Sequence, residues 1–565
     1  MPAALLLLAL ANGAQALPPA PAVIPTGTIV SVSTAVQPVI ATVRVERANV
    51  FDPTAPGENS WPFRIADWVH VTSHDEVIRR ELLLGPGDRW DSLKALESER
   101  NLRDLNLFRR ADVKAVPRPD GKVDVVARTQ DTWTLNIESG VGTEGGQRQV
   151  SYGVSDDNLL GYGKSVSARH NENGDIVSNQ FAYGDHRFLG TRYSFDPFFT
   201  RTGYGTSIGG DVIKPFFALD TPLASGVKYS HTVDESIIYQ QSQEFSKFLI
   251  KNDAAQMGYG GRLPWDRGAV QRVEAGWYVQ KDQFYPIPAT LPFTLPNGRT
   301  MSGPVAGYSL VQPRYVKETY INKMERVEDF NMGNEFQFLG GFMGEELGSD
   351  RDRLIYNVLD QQGIYFAPGR FALMQVGAKG RVLASEPDNA LLFANINFFY
   401  ANDWQVPMTL VSHLEVNKGR NLDGENQVIL GGNNGLRGYE SYSFTGDESV
   451  LLNLEDRVFM PGEYFHLVRF GGAFFWDSGC VSSATSPMTF GNFKSDLGFG
   501  LRLAPTRGQS GNVVRLDLAR SLQTGPGPDR WVVSLTANQA FSIFNSSTGH
   551  VRETPASQLV VQGQN

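Results

Sequence analysis

The chain of 565 residues has a single cysteine, no excess of positive charge and no long apolar run. One cysteine, Cys480, excludes an intramolecular disulfide framework. The formal net charge of −9 gives no basic footprint, so nucleic acid is not an expected partner. No internal stretch approaches the ~18–20 consecutive apolar residues of a transmembrane helix. The length is enough for two or three domains.

The N-terminus has the pattern of an exported protein. An apolar run over 3–11 ends at Ala14-Gln15-Ala16, a small-x-small cleavage pattern, so residues 1–16 are predicted to be a signal peptide. The usual positive segment is missing, because no charged residue precedes Arg44. Residues 17–40 hold five prolines and predict a flexible exported leader.

Residues 41–130 predict a small α+β domain. Ser73 with Glu76 fits a capping box, in which the hydroxyl accepts from a helix-start amide and the carboxylate reaches back. The Asp52–Pro62 excursion, which contains Pro and Gly, interrupts the domain after its first strand. The predicted order is strand, helix, helix, strand and strand, at about 43–47, 75–84, 91–105, 112–116 and 123–126.

Residues 131–541 alternate apolar and polar side chains in segments separated by Gly, Asn, Asp and Pro, which favours a membrane β-barrel. In the segment from Trp531, for example, Val533 and Leu535 oppose Ser534 and Thr536. Only a closed sheet leaves no unsatisfied backbone edge in hydrocarbon. A soluble β-sandwich also alternates, but it would be unusually large at this length.

Counting back from the end gives five segments after residue 447, near 448–459, 465–478, 493–503, 511–521 and 531–541. Short and long connections alternate between them, as periplasmic turns and extracellular loops do. If the preceding loop is the sixth outer loop, the barrel has sixteen strands, with roughly 26 residues for each strand and its connection. Residues 542–565 after Phe541 form a polar tail that is expected to be disordered.

The most informative segment is Leu436-Arg437-Gly438-Tyr439, in a glycine-rich loop 40 residues before Asp477, which is followed by Gly479. With Asn453-x-Glu455-x-Arg457 and the turn-like Asp156–Gly161, these motifs resemble a BamA/TamA-type outer-membrane protein of the bacterial surface antigen superfamily. Residues 41–130 resemble a POTRA domain, the periplasmic module of such proteins. The resemblance therefore implies a mainly β protein: an α+β POTRA domain followed by a sixteen-stranded antiparallel transmembrane barrel.

The resemblance implies that the loop folds into the lumen and that Arg437 pairs with Asp477 on the wall. A guanidinium meets a carboxylate through two parallel hydrogen bonds, which lysine cannot imitate. Gly438 removes a Cβ where the loop approaches the wall closely. Glu455 and Arg457 either join a lumen network or are solvated there.

The resemblance also implies a function without chemistry. Family members insert or export β-rich client polypeptides without nucleotide, metal or other cofactor, so no enzyme activity is expected. Their first and last strands pair weakly at a lateral seam, here containing Gly140 and Gly142 in the first strand, and Trp531 and Phe541 in the last. The implied location is the outer membrane of a diderm bacterium, with the POTRA domain in the periplasm. Outer-membrane lipid, client chains and periplasmic accessory proteins are the implied partners.

Two other functions remain open: a two-partner-type secretion pore for one dedicated protein, and a passive porin or structural barrel. The chain departs from the family pattern in three places: a single POTRA domain, where insertases often have several, the 24 residues after Phe541, and the Asp52–Pro62 excursion. A nucleotide fingerprint at Gly140-x-Gly142-x-x-Gly145 lacks the helix it needs. His70 and His74 lack a third metal ligand nearby.

Overall fold

The computed structural model describes residues 37–537, except 145–146, 174–175, 265–267, 288–293, 403–405, 433, 484–485, 509–512 and 527–530. The predicted signal peptide, most of the leader, Phe541 and the tail lie outside the described residues. Within the described ranges, no helix is long and apolar enough to cross a bilayer.

The N-terminal unit, called domain 1, is a three-stranded sheet with three helices. Its elements are β1 (Ile40–Ala48), α1 (Trp61–Val69), α2 (Asp75–Glu81), α3 (Ser92–Asp104), β2 (Phe108–Pro117) and β3 (Val123–Asp131). The sheet order is β1-β3-β2, with β1 parallel and β2 antiparallel to β3. Apolar side chains of α2 and α3, including Ile78 and Leu102, pack with Val125 in a buried core. Burial of these side chains fixes the helices on the sheet.

Two sequence expectations for domain 1 need correction. The excursion after β1 leads into a helix of its own, α1, which has Pro in its first turn. The capping box is not formed: His74 is the N-cap of α2, without a side-chain cap, and the helix ends at Glu81 instead of residue 84. The backbone N–H and hydroxyl of Ser73 instead donate to the Asp131 carboxylate, at 2.6 and 3.0 Å.

Asp131 lies at the join between domain 1 and the barrel. Its side chain is buried, and burial raises the pKa of this carboxyl to about 6, against the opposing effect of the two hydrogen bonds from Ser73. Ser73 in turn accepts a hydrogen bond at 2.9 Å from Asn158, in the first turn of the barrel. The join is therefore a buried polar contact that depends on a titrating group.

The rest of the chain forms a closed antiparallel barrel in which neighbours in sequence are neighbours in the wall. Its strands are β4 (Leu135–Glu144), β5 (Gln147–Asp156), β6 (Lys164–Asn173), β7 (Ile176–Asp185), β8 (Ser194–Phe195), β9 (Phe198–Thr202), β10 (Thr206–Lys214), β11 (Leu223–Gln240), β12 (Gln243–Arg262), β13 (Val270–Pro286), β14 (Arg299–Val311), β17 (Asn334–Met343), β18 (Arg353–Ala367), β19 (Arg370–Leu383), β20 (Glu386–Asn402), β21 (Met408–Arg420), β24 (Glu448–Phe459), β25 (Val468–Ser482), β26 (Lys494–Pro505), β27 (Val514–Ser521) and β28 (Trp531–Ala537). Two further hairpins are not strands of the wall: β15 (Tyr315–Glu318) with β16 (Glu328–Asn331), and β22 (Val428–Leu430) with β23 (Phe444–Gly446).

The prediction of sixteen strands is wrong. β8 and β9 both pair with β7 and with β10, so they share one position, and the described wall has twenty positions. Connections such as 241–242 and 384–385 are two residues long, so a strand with its connection takes about 20 residues, not about 26. The Leu436–Tyr439 segment accordingly lies in the eighth outer connection, not the sixth. The five strands expected after it are β24 to β28.

The predicted alternation is present along the strands. In β28, Trp531, Val533 and Leu535 are exposed on the outer face, whereas Val532 and Ser534 are buried. We call the end of the barrel where β4 begins the near end, and the opposite end the far end. An outer face of large apolar residues around a lumen with charged side chains is the arrangement of a bilayer-spanning barrel.

Domain 1 is seated on the near end. Its side chains bond to near-end connections around much of the barrel mouth. The contacts are Ser73 with Asn158, Glu81 with Arg187, Glu97 with Leu219, Lys94 with Asp220, Arg103 with Asp329, Arg109 with Glu463, and Glu58 with Arg507. The domain therefore covers the mouth and does not extend away from it on a free linker.

Candidate functional site in the barrel lumen

The connection between β21 and β24, residues 421–447, is called the far-end loop, and it folds inward. Strand β22 of its hairpin is buried, β23 is half-buried, and Leu430 and Leu436 pack on Leu451 of β24. On the opposite wall, the Tyr442 ring stacks on Tyr239 with centroids 3.8 Å apart. The loop thus bridges two sides of the lumen.

Arg437 is held at the tip of this loop. Its Nε and Nη2 each donate to one oxygen of the Asp477 carboxylate, both at 2.8 Å, and its Nη1 donates to Glu455 at 2.5 Å. The guanidinium carbon lies 3.5 Å from the centre of the Phe475 ring. Arg437 is 3% exposed, and both carboxylates are fully buried. The contact is therefore a desolvated, two-pronged ion pair.

The residues around Arg437 explain why this short segment carries its particular side chains. A Cβ on Gly438 would lie 2.4 Å from the Asp496 side chain and 2.8 Å from the backbone of Arg520, so only glycine fits. The Tyr439 hydroxyl donates to backbone oxygens of Ser495 and Gln523, at 3.2 and 3.1 Å. A Cβ on Gly479 would lie 2.9 Å from Leu430. Each of these positions is thus fixed by close approach between the loop and the wall.

Glu455 and Arg457, which the sequence left either networked or solvated, are networked. Arg457 Nε donates to Glu455 at 2.8 Å, and both side chains are buried. Arg502 and Asp517, which the sequence interpretation did not select, pair with each other beside them. Their strand parity is inward, like that of Asp477, and this is the signal that would have found them.

A second loop, residues 312–333 between β14 and β17, enters from the near end and is called the near-end loop. Ile321 and Phe330 are buried against Phe371, Phe399 and Val411 of the wall. Arg457 Nη1 donates to the backbone oxygen of Ile321 at 2.7 Å. Nothing in the sequence interpretation predicted this loop, because a 22-residue turn at the short-turn end breaks the expected alternation of lengths.

The two loops and domain 1 are joined by consecutive polar contacts. Arg437 binds Glu455, Glu455 binds Arg457, and Arg457 binds the near-end loop. At its other end, the near-end loop receives a two-pronged ion pair from α3, in which Arg103 donates to both oxygens of Asp329 at 2.7 and 2.8 Å. Domain 1 and the far-end loop are therefore linked by a series of ion pairs and one hydrogen bond that passes through the near-end loop.

The strands of the predicted seam are adjacent, since β28 lies beside β4 where the barrel closes. Gly140 and Gly142 both fall within β4, paired with Ser151 and Gln149 of β5. Trp531 begins β28, and its ring lies 5.9 Å from the Arg520 guanidinium. Phe541, the fourth seam residue, lies outside the described residues.

One group of potential metal ligands lies where domain 1 meets the barrel: Glu58, Glu463 and His466. Arg507 donates to both carboxylates, at 2.6 and 3.1 Å. A guanidinium thus already supplies the positive charge between these acids, and the group is an ion-pair network at the docking surface.

Comparisons with known proteins give local matches. Over 125 residues the chain is 31% identical to a putative outer membrane protein assembly factor of Treponema pallidum, covering 21% of this chain and 15% of that protein. Over 158 residues it is 31% identical to outer membrane protein assembly factor BamA of Neisseria meningitidis serogroup B, covering 26% of this chain and 18% of that protein. The chain thus spans less than a fifth of the length of each of these relatives.

Among solved structures, CdiB from Acinetobacter baumannii aligns over 89% of this chain and 74% of its own, with a TM-score of 0.44 and 11% identity. No protein-family model matches the chain. The local identity to two assembly factors, with the closed antiparallel barrel and the buried Leu436–Tyr439 segment, makes the chain similar to BamA/TamA-type outer-membrane proteins.

Proposed function

We propose that this protein is an outer-membrane assembly or translocation factor, which inserts or exports β-rich client proteins without nucleotide or metal. The observation that carries the proposal is the buried Arg437–Asp477 pair, which holds a far-end loop inside a closed barrel. A loop held in the lumen blocks a passage along the barrel. Burying two charges costs several kcal/mol unless they are paired, so the buried pair holds the loop in this position.

The lumen contacts argue against a passive porin. The far-end loop and the near-end loop enter from opposite ends and meet at Glu455 and Arg457. A porin needs an open aqueous passage along its axis, whereas here buried ion pairs cross the middle of the barrel. The proposed work therefore takes place at the wall or after a loop is displaced.

Domain 1 is proposed to be a POTRA domain that receives client chains. Its sheet has β1 and β2 at the two edges, and an extended client segment can add to such an edge through main-chain hydrogen bonds. The contact of Arg103 with Asp329 supports a role in relaying client capture to the lumen loops.

The seam between β4 and β28 is the proposed client exit. Gly140 and Gly142 add no side-chain packing to β4, which weakens its pairing with a neighbour. A transiently open edge in lipid is a template for another strand. Clients of this proposal are β-rich chains whose first or last strand pairs with that edge.

The experiment is depletion of the protein followed by quantitative outer-membrane proteomics, with Arg437→Ala and Arg351→Ala variants for complementation. Arg351 lies in an exposed far-end connection and is the matched control. The proposal expects several β-barrel proteins to fall on depletion and Arg351→Ala, but not Arg437→Ala, to restore them. Loss of a single secreted protein would favour the two-partner-type pore, and an unchanged proteome would contradict both.

A further inference from the structure

Helix α1 has a buried side and an exposed apolar side. Phe63 and Ala66 are buried, whereas the outward residues Trp61, Ile65, Trp68 and Val69 recur at helical spacing on the opposite side. Trp68 is 85% exposed. Two tryptophans and two branched aliphatic residues on one exposed side of a nine-residue helix are an unusual surface for a domain in water.

The buried side of α1 places this helix at the foot of the barrel wall. Phe63 belongs to a cluster with Phe51, packed by Trp133 and Leu467. Trp133 precedes β4 by two residues, and the outward side chains Leu135 and Ile137 at the start of β4 are exposed. Helix α1 is therefore packed beside the start of the first barrel strand, whose outward side chains are apolar.

Two neighbouring near-end turns present a leucine in the same way. In the β5–β6 turn, Leu160 has φ 51° and is exposed; in the β7–β8 turn, Leu189 has φ 52° and is 83% exposed. Both turns are closed by an aspartate that accepts the backbone N–H two residues later, Asp156 from Asn158 and Asp185 from Arg187. A leucine in the left-handed region costs about 1 kcal/mol or more, so solvent exposure alone gives it no compensation.

We propose that the exposed side of α1, with Leu160 and Leu189, is a membrane-interface surface that sits in the headgroup layer of the leaflet facing domain 1. Its occupant is phospholipid, because α1 is anchored beside Trp133, next to the exposed apolar side chains of the lipid-facing wall at β4. Tryptophan is enriched at this depth, and interfacial helices bury their apolar side by ~5–10 Å.

The surface fixes the height and tilt of domain 1 beside the β4–β28 seam. It holds α1 against lipid while α3 holds the near-end loop through Arg103. This role goes beyond client handling, since it requires only that the barrel spans a bilayer.

The test is spin-label accessibility in phospholipid nanodiscs with the full chain. Cys480 is buried and is the one cysteine, so a Cys480→Ala background accepts single labels at Trp68→Cys, Leu189→Cys and, as a control, the exposed turn residue Lys122→Cys. Each variant is first checked for a folded barrel by its heat-dependent mobility on gels, so that misfolded samples are set aside.

For each label, the relaxation caused by dissolved oxygen is divided by the relaxation caused by a water-soluble nickel chelate. This ratio is expected to be about threefold or more higher at residues 68 and 189 than at residue 122. Access of the nickel chelate to residue 68 equal to that at 122 would overturn the proposal. Exclusion of both reagents at 68 would also overturn it, because a protein segment and not lipid would then cover α1.

Discussion

Replacing Arg437 by alanine removes three hydrogen bonds and leaves two carboxylates, Asp477 and Glu455, without their shared cation. Both acids are fully buried, and breaking a buried ion pair by removing one partner costs about 3–5 kcal/mol. Arg457 remains bonded to Glu455, so the loss falls mainly on Asp477 and the lower part of that range applies. The Phe475 ring also loses a cation–π contact.

A loss of about 3 kcal/mol corresponds to about a 100-fold change in the equilibrium between the held and released far-end loop. Arg437→Lys keeps the charge but not the two-pronged geometry, so its effect is smaller, about 1–2 kcal/mol. When samples are heated to increasing temperatures before electrophoresis, the fast-migrating folded form of Arg437→Ala should disappear at a lower temperature than that of the unchanged protein. It should also expose residues 421–447 to added protease.

Arg351→Ala is the control, because that arginine is exposed in a far-end connection. A double-mutant cycle with Asp477→Asn isolates the pair, and the two changes together should cost less than the sum of each alone. If Arg437→Ala behaves like Arg351→Ala in both assays, the proposed lock is refuted. Strict additivity with Asp477→Asn would refute the pairing as its energetic basis.

Three further predictions concern domain 1 and the lumen. Burial raises the pKa of Asp131 to about 6, so this group stabilises the fold by up to about 3 kcal/mol below about pH 4 and loses that effect as the pH rises through 6. Asp131→Asn should flatten this part of the pH dependence of stability of domain 1 in thermal unfolding. An unchanged pH dependence would contradict the prediction. Arg103→Asp should increase protease cleavage of the near-end loop, and added Asp329→Arg should restore protection; no rescue would contradict a direct pair. Planar-bilayer recordings should show low conductance that rises when residues 422–446 are deleted, and high conductance in the intact protein would contradict a lumen filled by both loops.

The family resemblance implies the Arg437–Asp477 contact, and strand parity, which is a local property of the sequence, agrees with it. Parity puts Asp477 on the inner face, and the glycine at 438 signals close approach. The closed β-rich architecture follows from the same alternation. Arg502 and Asp517 carry the same parity, but parity does not say which inward charges meet across the lumen, since that depends on strand stagger.

The number of strands and the near-end loop could not be predicted from the sequence, for a different reason. A two-residue connection such as 241–242 contains too few turn-forming residues to mark the boundary between two long strands. The sequence of β11 and β12 therefore looks like one alternating stretch. The near-end loop resembles a strand pair, since β15 and β16 do form a hairpin, but its position inside the barrel is set by tertiary contacts with Phe371 and Phe399. Helix α1 was not predicted because Pro62 indicates a break in a helix, although proline is tolerated in the first turn of a helix.

The wall of this barrel differs in height around its circumference. Strands β4 to β7 have 10 residues each, whereas β11 and β12 have 18 and 20. At ~3.3 Å per residue and a tilt near 45°, ten residues rise about 23 Å, close to the apolar band of an outer-membrane barrel. An edge of that length matches one transmembrane strand of about 9–11 residues. If a client strand adds to the β4 edge, as proposed above, the length of that edge limits the paired segment to about the thickness of the bilayer.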